Sequence, residues 1–168
     1  GDWLAEPRYS ACFDAAEKIV IRQTGDSLVA TVDTNQFIAR DNLYTIIMKD
    51  EQNIELKYVL GLLNSKPINW YYQTFVNPEK GEALAQVKKK HVEQLPIPTA
   101  TDAQQAAIVE RVEKILSAHK QPHPQPAPPL EGEGVAVNIP QLEAEIDRLV
   151  YELYGLTPEE IAIVEGKR

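Results

Sequence analysis

The apolar residues of this chain keep two different periods, and the change between them near Ile54 limits the folds open to it. Ahead of that point the apolar stretches are short and β-branched. Lys18-Ile19-Val20-Ile21-Arg22 and Leu28-Val29-Ala30-Thr31-Val32 flank the turn signal Thr24-Gly25-Asp26-Ser27. Residues 17–33 are therefore predicted to form a β-hairpin, with Arg22 and Gln23 at the end of the first strand beside the turn. Leu43-Tyr44-Thr45-Ile46-Ile47-Met48 predicts a third strand, and residues 34–42 a loop or edge strand carrying Arg40, Asp41 and Asn42. Past Ile54, Leu56, Val59, Leu60 and Leu63 recur at helical spacing. Ser65 then reads as an N-cap, and Pro67 sits in the first turn of an aromatic helix over residues 68–75, where proline is tolerated.

The second half carries firmer helical signals. Thr101-Asp102-Ala103-Gln104 fits a capping box ahead of the stripe Ile108, Val109, Val112, Ile115 and Leu116. Residues 121–129 are proline-rich and 131–134 are Glu-Gly repeats, the composition of an extended linker. A second long helix is predicted from near Pro140, with Leu142, Ile146, Leu149, Val150 and Leu153 on one face and Gly155 as its C-cap. Thr157-Pro158-Glu159-Glu160 is another capping box. The two long helices carry matching stripes. They either close the core of this chain or pack on a neighbouring domain. The predicted fold class is α+β, a small and mostly antiparallel sheet packed with helices. The division that follows is an α+β domain at 1–120, a linker at 121–139 and a helical segment at 140–168.

Several function classes find no support in the residues. No stretch reaches the roughly 18–20 apolar residues of a membrane span, and no signal-peptide pattern opens the chain. Cys12 is the only cysteine, which excludes an internal disulfide and fits a reducing cytoplasm. His91, His119 and His123 have no metal-ligand spacing. Glycine-rich phosphate loops and the Gly-x-Ser-x-Gly elbow are absent. Asn77-Pro78 is followed by Glu79-Lys80, so it does not complete the Asn-Pro-Pro-Tyr motif of adenine methyltransferases. Glu143, Glu145, Asp147 and Glu152 read as the solvated face of an amphipathic helix. No catalytic residue, metal or cofactor is expected in this chain. The net charge is −8, which counts against a simple nucleic-acid binder. Its distribution matters more: residues 1–100 hold 11 Lys/Arg against 13 Asp/Glu, whereas 131–168 hold 3 against 9. Lys88-Lys89-Lys90-His91 is the chain's basic run, and Val92, Leu95 and Ile97 lead from it into an extended exit at Pro96 and Pro98.

The order of five stretches resembles a known family. They are Lys18-Ile19-Val20-Ile21-Arg22-Gln23-Thr24-Gly25, Asp41-Asn42-Leu43-Tyr44, Leu62-Leu63-Asn64-Ser65-Lys66, residues 87–98 ending in Leu95-Pro96-Ile97-Pro98, and residues 145–156 around Leu149-Val150-Tyr151-Glu152-Leu153-Tyr154-Gly155. Together they resemble the TaqI-like C-terminal specificity domain of type II restriction–modification adenine-specific DNA methyltransferases. The Leu-Leu-Asn-Ser and Leu-Pro-Ile-Pro pair is also similar to the specificity subunits of type I restriction systems. The resemblance implies a target-recognition domain that reads a short double-stranded DNA sequence. A methyltransferase domain of the same polypeptide would bind S-adenosylmethionine and methylate adenine at N6, and in many such proteins an endonuclease is fused or paired.

Under that reading the phosphate-contact candidates are Lys88, Lys89, Lys90 and His91, with Lys66 and Lys80 flanking the aromatic helix. Arg22, Gln23, Arg40 and Asn42 are the base-reading candidates, since Arg matches guanine and Asn or Gln matches adenine bidentately. Each has a plain alternative as a solvated loop, a strand end or a helix face. Trp70, Tyr71, Tyr72 and Phe75 form either core or a stacking surface for an unpaired base. A second function class also stands: a docking module in which the helices and acidic tail bind a partner subunit without direct DNA reading.

Overall fold

A computed structural model describes residues 11–39, 42–48, 53–120 and 137–167. Arg40 and the proline-rich stretch at 121–136 lie outside the described residues. The elements in chain order are α1 (Ala11–Asp14), β1 (Lys18–Arg22), β2 (Ala30–Asp33), β3 (Leu43–Ile46), α2 (Leu56–Asn64), α3 (Lys66–Tyr71), a π-helical turn (Tyr72–Val76), α4 (Lys89–Val92), α5 (Asp102–Lys120), α6 (Ile139–Tyr154) and α7 (Pro158–Val164). The architecture is α+β. The strands form one antiparallel sheet in the order β2-β1-β3.

β1 is the central strand, which explains its unbroken apolar run. Ile19 and Ile21 join the main core, and Val20 on the other face is buried as well. Lys18 opens the strand and is fully buried. Its Nζ lies 3.2 Å from Asp33 Oδ2, on its register partner across the β1–β2 pair. Both outer strands run antiparallel to β1, so the chain must travel the length of the sheet between them. Asp33 pairs with Lys18 at one end, and Leu43 pairs with Arg22 at the other. This crossing returns Asn42 to the end of the sheet that Arg22 occupies.

The hairpin loop is longer than the four-residue turn predicted at Thr24–Ser27. Leu28 and Val29 leave the strand, and Leu28 is buried with its N–H donating to Asn69 Oδ1 at 2.8 Å. The exposed edge of β2 is closed by a side chain. Asn64 accepts from the Ala30 N–H and donates to the Ala30 carbonyl, both at 2.9 Å, in the manner of a neighbouring strand. That leaves less free edge for pairing with another chain.

α2 is the hub. Residues Tyr58 through Leu63 are all buried, enclosed by the sheet, α5 and α6. Gly61 permits the close approach of α5: a Cβ there would lie 2.5 Å from Ile108 Cγ2. α6 adds Ile146 and Val150 to the same core, so the matching stripes of the two long helices meet each other.

Local signals set the helix ends well. Both capping boxes form, at Thr101–Gln104 and Thr157–Glu160, and Gly155 takes the left-handed conformation after α6. Two expectations fail for non-local reasons. Ser65 occupies the N-cap position of α3, but its hydroxyl donates back to the Leu62 carbonyl at 2.7 Å. Asp147 does the capping instead, accepting from the Lys66 N–H at 2.8 Å. Asp147 is therefore buried, and Glu145 is engaged by Arg111 at 2.7 Å, so neither belongs to a freely solvated acidic face. The extended Leu95-Pro96-Ile97-Pro98 exit is held through its carbonyls: the Tyr154 hydroxyl donates to Pro96, and Tyr58 donates to Pro98.

Candidate functional site

At the Arg22 end of β1 the backbone keeps pairing beyond the sheet proper. The Gln23 N–H donates to the Asn42 carbonyl at 3.0 Å, and the Gln23 carbonyl accepts from Val87 N–H at 2.8 Å. The Gly25 N–H donates to Ala85 at 2.9 Å, and Thr24 bridges to Gln86. Three distant segments thus share one edge: the hairpin tip, the start of β3 and the approach to the basic run. Gly25 has φ +115°, and Arg22 Nη2 lies 2.9 Å from where its Cβ would stand. The missing side chain leaves space for the Arg22 guanidinium to lie over the turn.

The loop after the π-helical turn is tied to the same place. Asn77 donates to the Asp26 carbonyl at 3.2 Å, and the Gly81 N–H to Asp26 Oδ2 at 3.3 Å. Glu79 bridges onward, accepting from the Gln86 N–H at 3.0 Å and from Lys88 Nζ at 2.5 Å. The Lys88 ammonium, helped by the Gln86 amide, holds the Glu79 carboxyl below the usual carboxylate range.

The ten predicted site residues separate in space. Arg22, Gln23, Asn42, Lys80, Lys88, Lys89 and Lys90 belong to the segments tied together at this end of the sheet. Arg22, Lys80 and Lys90 are exposed, with no side-chain hydrogen bond or ion pair to another described residue. Lys88 is committed to Glu79, and Lys89 lies 3.6 Å from Glu93 one helical turn on. Gln23 is half-buried and donates to the Tyr44 hydroxyl at 3.2 Å, which orients its amide. His91 turns inward from its basic neighbours, 3% exposed, with its ring centroid 6.1 Å from that of Tyr72. Burial and the nearby Lys90 and Lys88 charges push its pKa down, which favours the neutral ring. Lys66 lies apart, at the start of α3, where its ammonium is 3.3 Å from Asp147. Arg40 lies outside the described residues.

The aromatic cluster divides. Tyr72 is fully buried, Trp70 and Tyr71 are half-buried, and Phe75 is 66% exposed on the π-helical turn. Glu79, Asp26 and Tyr44 position this site and were not among the expected residues. Their partners are 21 to 55 residues away in some cases, and no local pattern announces them. The arrangement offers cationic groups and side-chain amides on a surface braced from beneath. Among the described residues no three His, Cys, Asp or Glu side chains gather to hold a metal, and no helix is long and apolar enough to cross a membrane.

A family model for the TaqI-like C-terminal specificity domain matches residues 4–97. No curated protein matches the chain. Among solved structures, the Type IIL restriction-modification enzyme MmeI in complex with DNA is similar, with a TM-score of 0.60 and 18% identity. The match covers 90% of this chain and 21% of that one, so the chain spans about a fifth of the enzyme's length. The likeness at that identity is one of fold, whereas the family model spans more than half of the present sequence. The chain belongs to the TaqI-like C-terminal specificity domain family.

Proposed function

We propose that this chain reads a short double-stranded DNA sequence for an adenine-N6 DNA methyltransferase of a restriction–modification system. The observation that carries the reading is the convergence of Arg22, Gln23, Asn42 and the 80–90 segment on one end of the sheet, in a chain of a specificity-domain family. The solved relative's complex with DNA supports it. Arg22 is the guanine-reading candidate, and Asn42 and the oriented Gln23 amide are the adenine-reading candidates. Lys80, Lys89 and Lys90 contact phosphates. Lys88 acts chiefly through Glu79 to hold the surface together. A methyltransferase domain of the same polypeptide supplies S-adenosylmethionine binding and the second wall of the DNA cleft, and the protein works in the cytoplasm.

The test is a fluorescence titration of this chain with labelled duplexes at low salt. Each neutralised phosphate contributes about −0.9 to the slope of log K against log salt. Lys89→Ala and Lys90→Ala should each weaken binding to all sequences alike and flatten the slope by about one. Lys88→Ala should change the slope less, because Glu79 already neutralises it. No binding to any duplex, including the site of a joined methyltransferase, would end the reading.

One observation favours a docking role as well. An apolar hollow of about 380 Å³ lies between α3, α6 and α7, walled by Trp70, Tyr154 and the exposed Ile163. A stable complex with the methyltransferase domain that never engages DNA would support docking without reading.

A further inference from the structure

Phe75 is out of place by the rules that arrange the rest of the cluster. It lies within stacking range of Trp70 at 5.6 Å, edge-on, and of Tyr71 at 5.4 Å, yet two-thirds of its surface faces solvent. A regular continuation of α3 would give residues 72–76 a different rotation. The π-helical turn over Tyr72–Val76 re-aims them, and such turns occur often at functional positions. Beside Phe75 is a surface hollow of about 320 Å³ between this turn and α4. Lys90 and Gln94 line its other side, and His91 borders it as a buried ring. Lys90 has no side-chain partner among the described residues, and its carbonyl accepts from Gln94 Nε2 at 2.6 Å. That bond leaves the Gln94 Oε1 as an acceptor. The hollow is therefore lined by an exposed aromatic ring, a cation unpaired among the described residues and a side-chain amide, next to the proposed DNA-reading end.

We propose that this hollow takes one unpaired base of a DNA strand, stacked on Phe75, with Lys90 at its phosphate and the Gln94 amide at its polar edge. Stacking tolerates any base, because every base has a π-face. The polar groups hold the strand rather than read it. The inference rests on the DNA-binding reading above, since the same strand must reach both surfaces.

The experiment compares two probes on this chain: a mixed-sequence duplex and the same duplex with a single extrahelical base placed at successive positions. Fluorescence anisotropy of the labelled probes reports binding, a readout that depends on no aromatic residue of the chain and so holds in every variant. The extrahelical base should raise affinity about tenfold at one or a few positions, in line with base–aromatic stacking. Phe75→Ala should erase that advantage and leave affinity for the intact duplex unchanged. Phe75→Trp should keep it, and circular dichroism should show both variants folded. Lys90→Ala should weaken both probes. An advantage that survives Phe75→Ala, or intact-duplex binding with no advantage at any position, would overturn the stacking site and leave the DNA-reading proposal standing. Absence of binding to both probes would overturn both.

Discussion

At the scale of single residues, burial decides which members of a charged run face outward. Lys89 and Lys90 stay in solvent, while His91 enters the core beside Tyr72, with its Nδ1 lacking a partner among the described residues. The groups facing it are Lys90, Lys88 and Glu79. Burial and the two lysines lower its pKa, and Glu79 opposes them. The sign follows from linkage. Above the ordinary value of 6.5 both states hold the ring neutral. As pH falls through 6.5 the unfolded chain takes up a proton that the folded one resists, so stability declines. The Asp33 and Glu79 carboxyls are also lowered, but their contributions are lost only below their ordinary values of 3.8 and 4.5. Between pH 7.5 and 5.5 the melting temperature should therefore fall more for the natural chain than for His91→Leu. Parallel curves would show that His91 does not carry the dependence. This inward turn was not legible in Lys88-Lys89-Lys90-His91, because a four-residue basic pattern carries no record of what packs against it.

At the scale of elements, close helix packing is set by Gly61. Alanine there gains about 1 kcal/mol of helix propensity. Its Cβ would meet Ile108 Cγ2 at 2.5 Å and Val112 Cγ2 at 3.1 Å, both branched and short of room. Overpacking of this kind costs about 1–3 kcal/mol, so the clash outweighs the propensity. Gly61→Ala should destabilise by about 1 kcal/mol in urea denaturation. Ile108→Ala in the same chain should offset part of its own cavity loss when combined with it, a favourable coupling in a double-mutant cycle. Strict additivity would mean the two side chains do not compete for one space. The Leu-Leu-Asn-Ser stretch carries further element-level information. Asn64 completes the β2 edge, and Ser65 ends α2 through its bond to Leu62. The stretch stands out in the sequence, but Ala30, the partner of Asn64, lies 34 residues before it, and Asp147, the partner of the following Lys66, lies 81 residues after that lysine.

At the scale of the molecule, α6 is part of the structure that holds the site. Ile146 and Val150 are buried against α5 and α2, and Asp147 caps α3, from which the π-helical turn and Phe75 extend. Removing the chain after Lys120 would also uncover the side chains of α5 and α2 that pack on α6. Each such side chain contributes about 1.5–3 kcal/mol by burial, and whole domains hold only about 5–15 kcal/mol. The shortened chain should lose its cooperative thermal transition. A sharp transition at unchanged temperature would show that residues 11–120 fold alone. What the sequence determined by itself was local: the β-branched central strand, the helical periods, both capping boxes and the Gly155 stop. These depend on neighbours three or four residues away, which a sequence displays directly. The tertiary structure alone decided that Lys18 and Asp147 are buried, that His91 turns inward, and that Arg22, Asn42 and the lysine run meet at one end of the sheet. Those outcomes depend on which distant surface excludes water from each group, and only the folded chain brings such surfaces together.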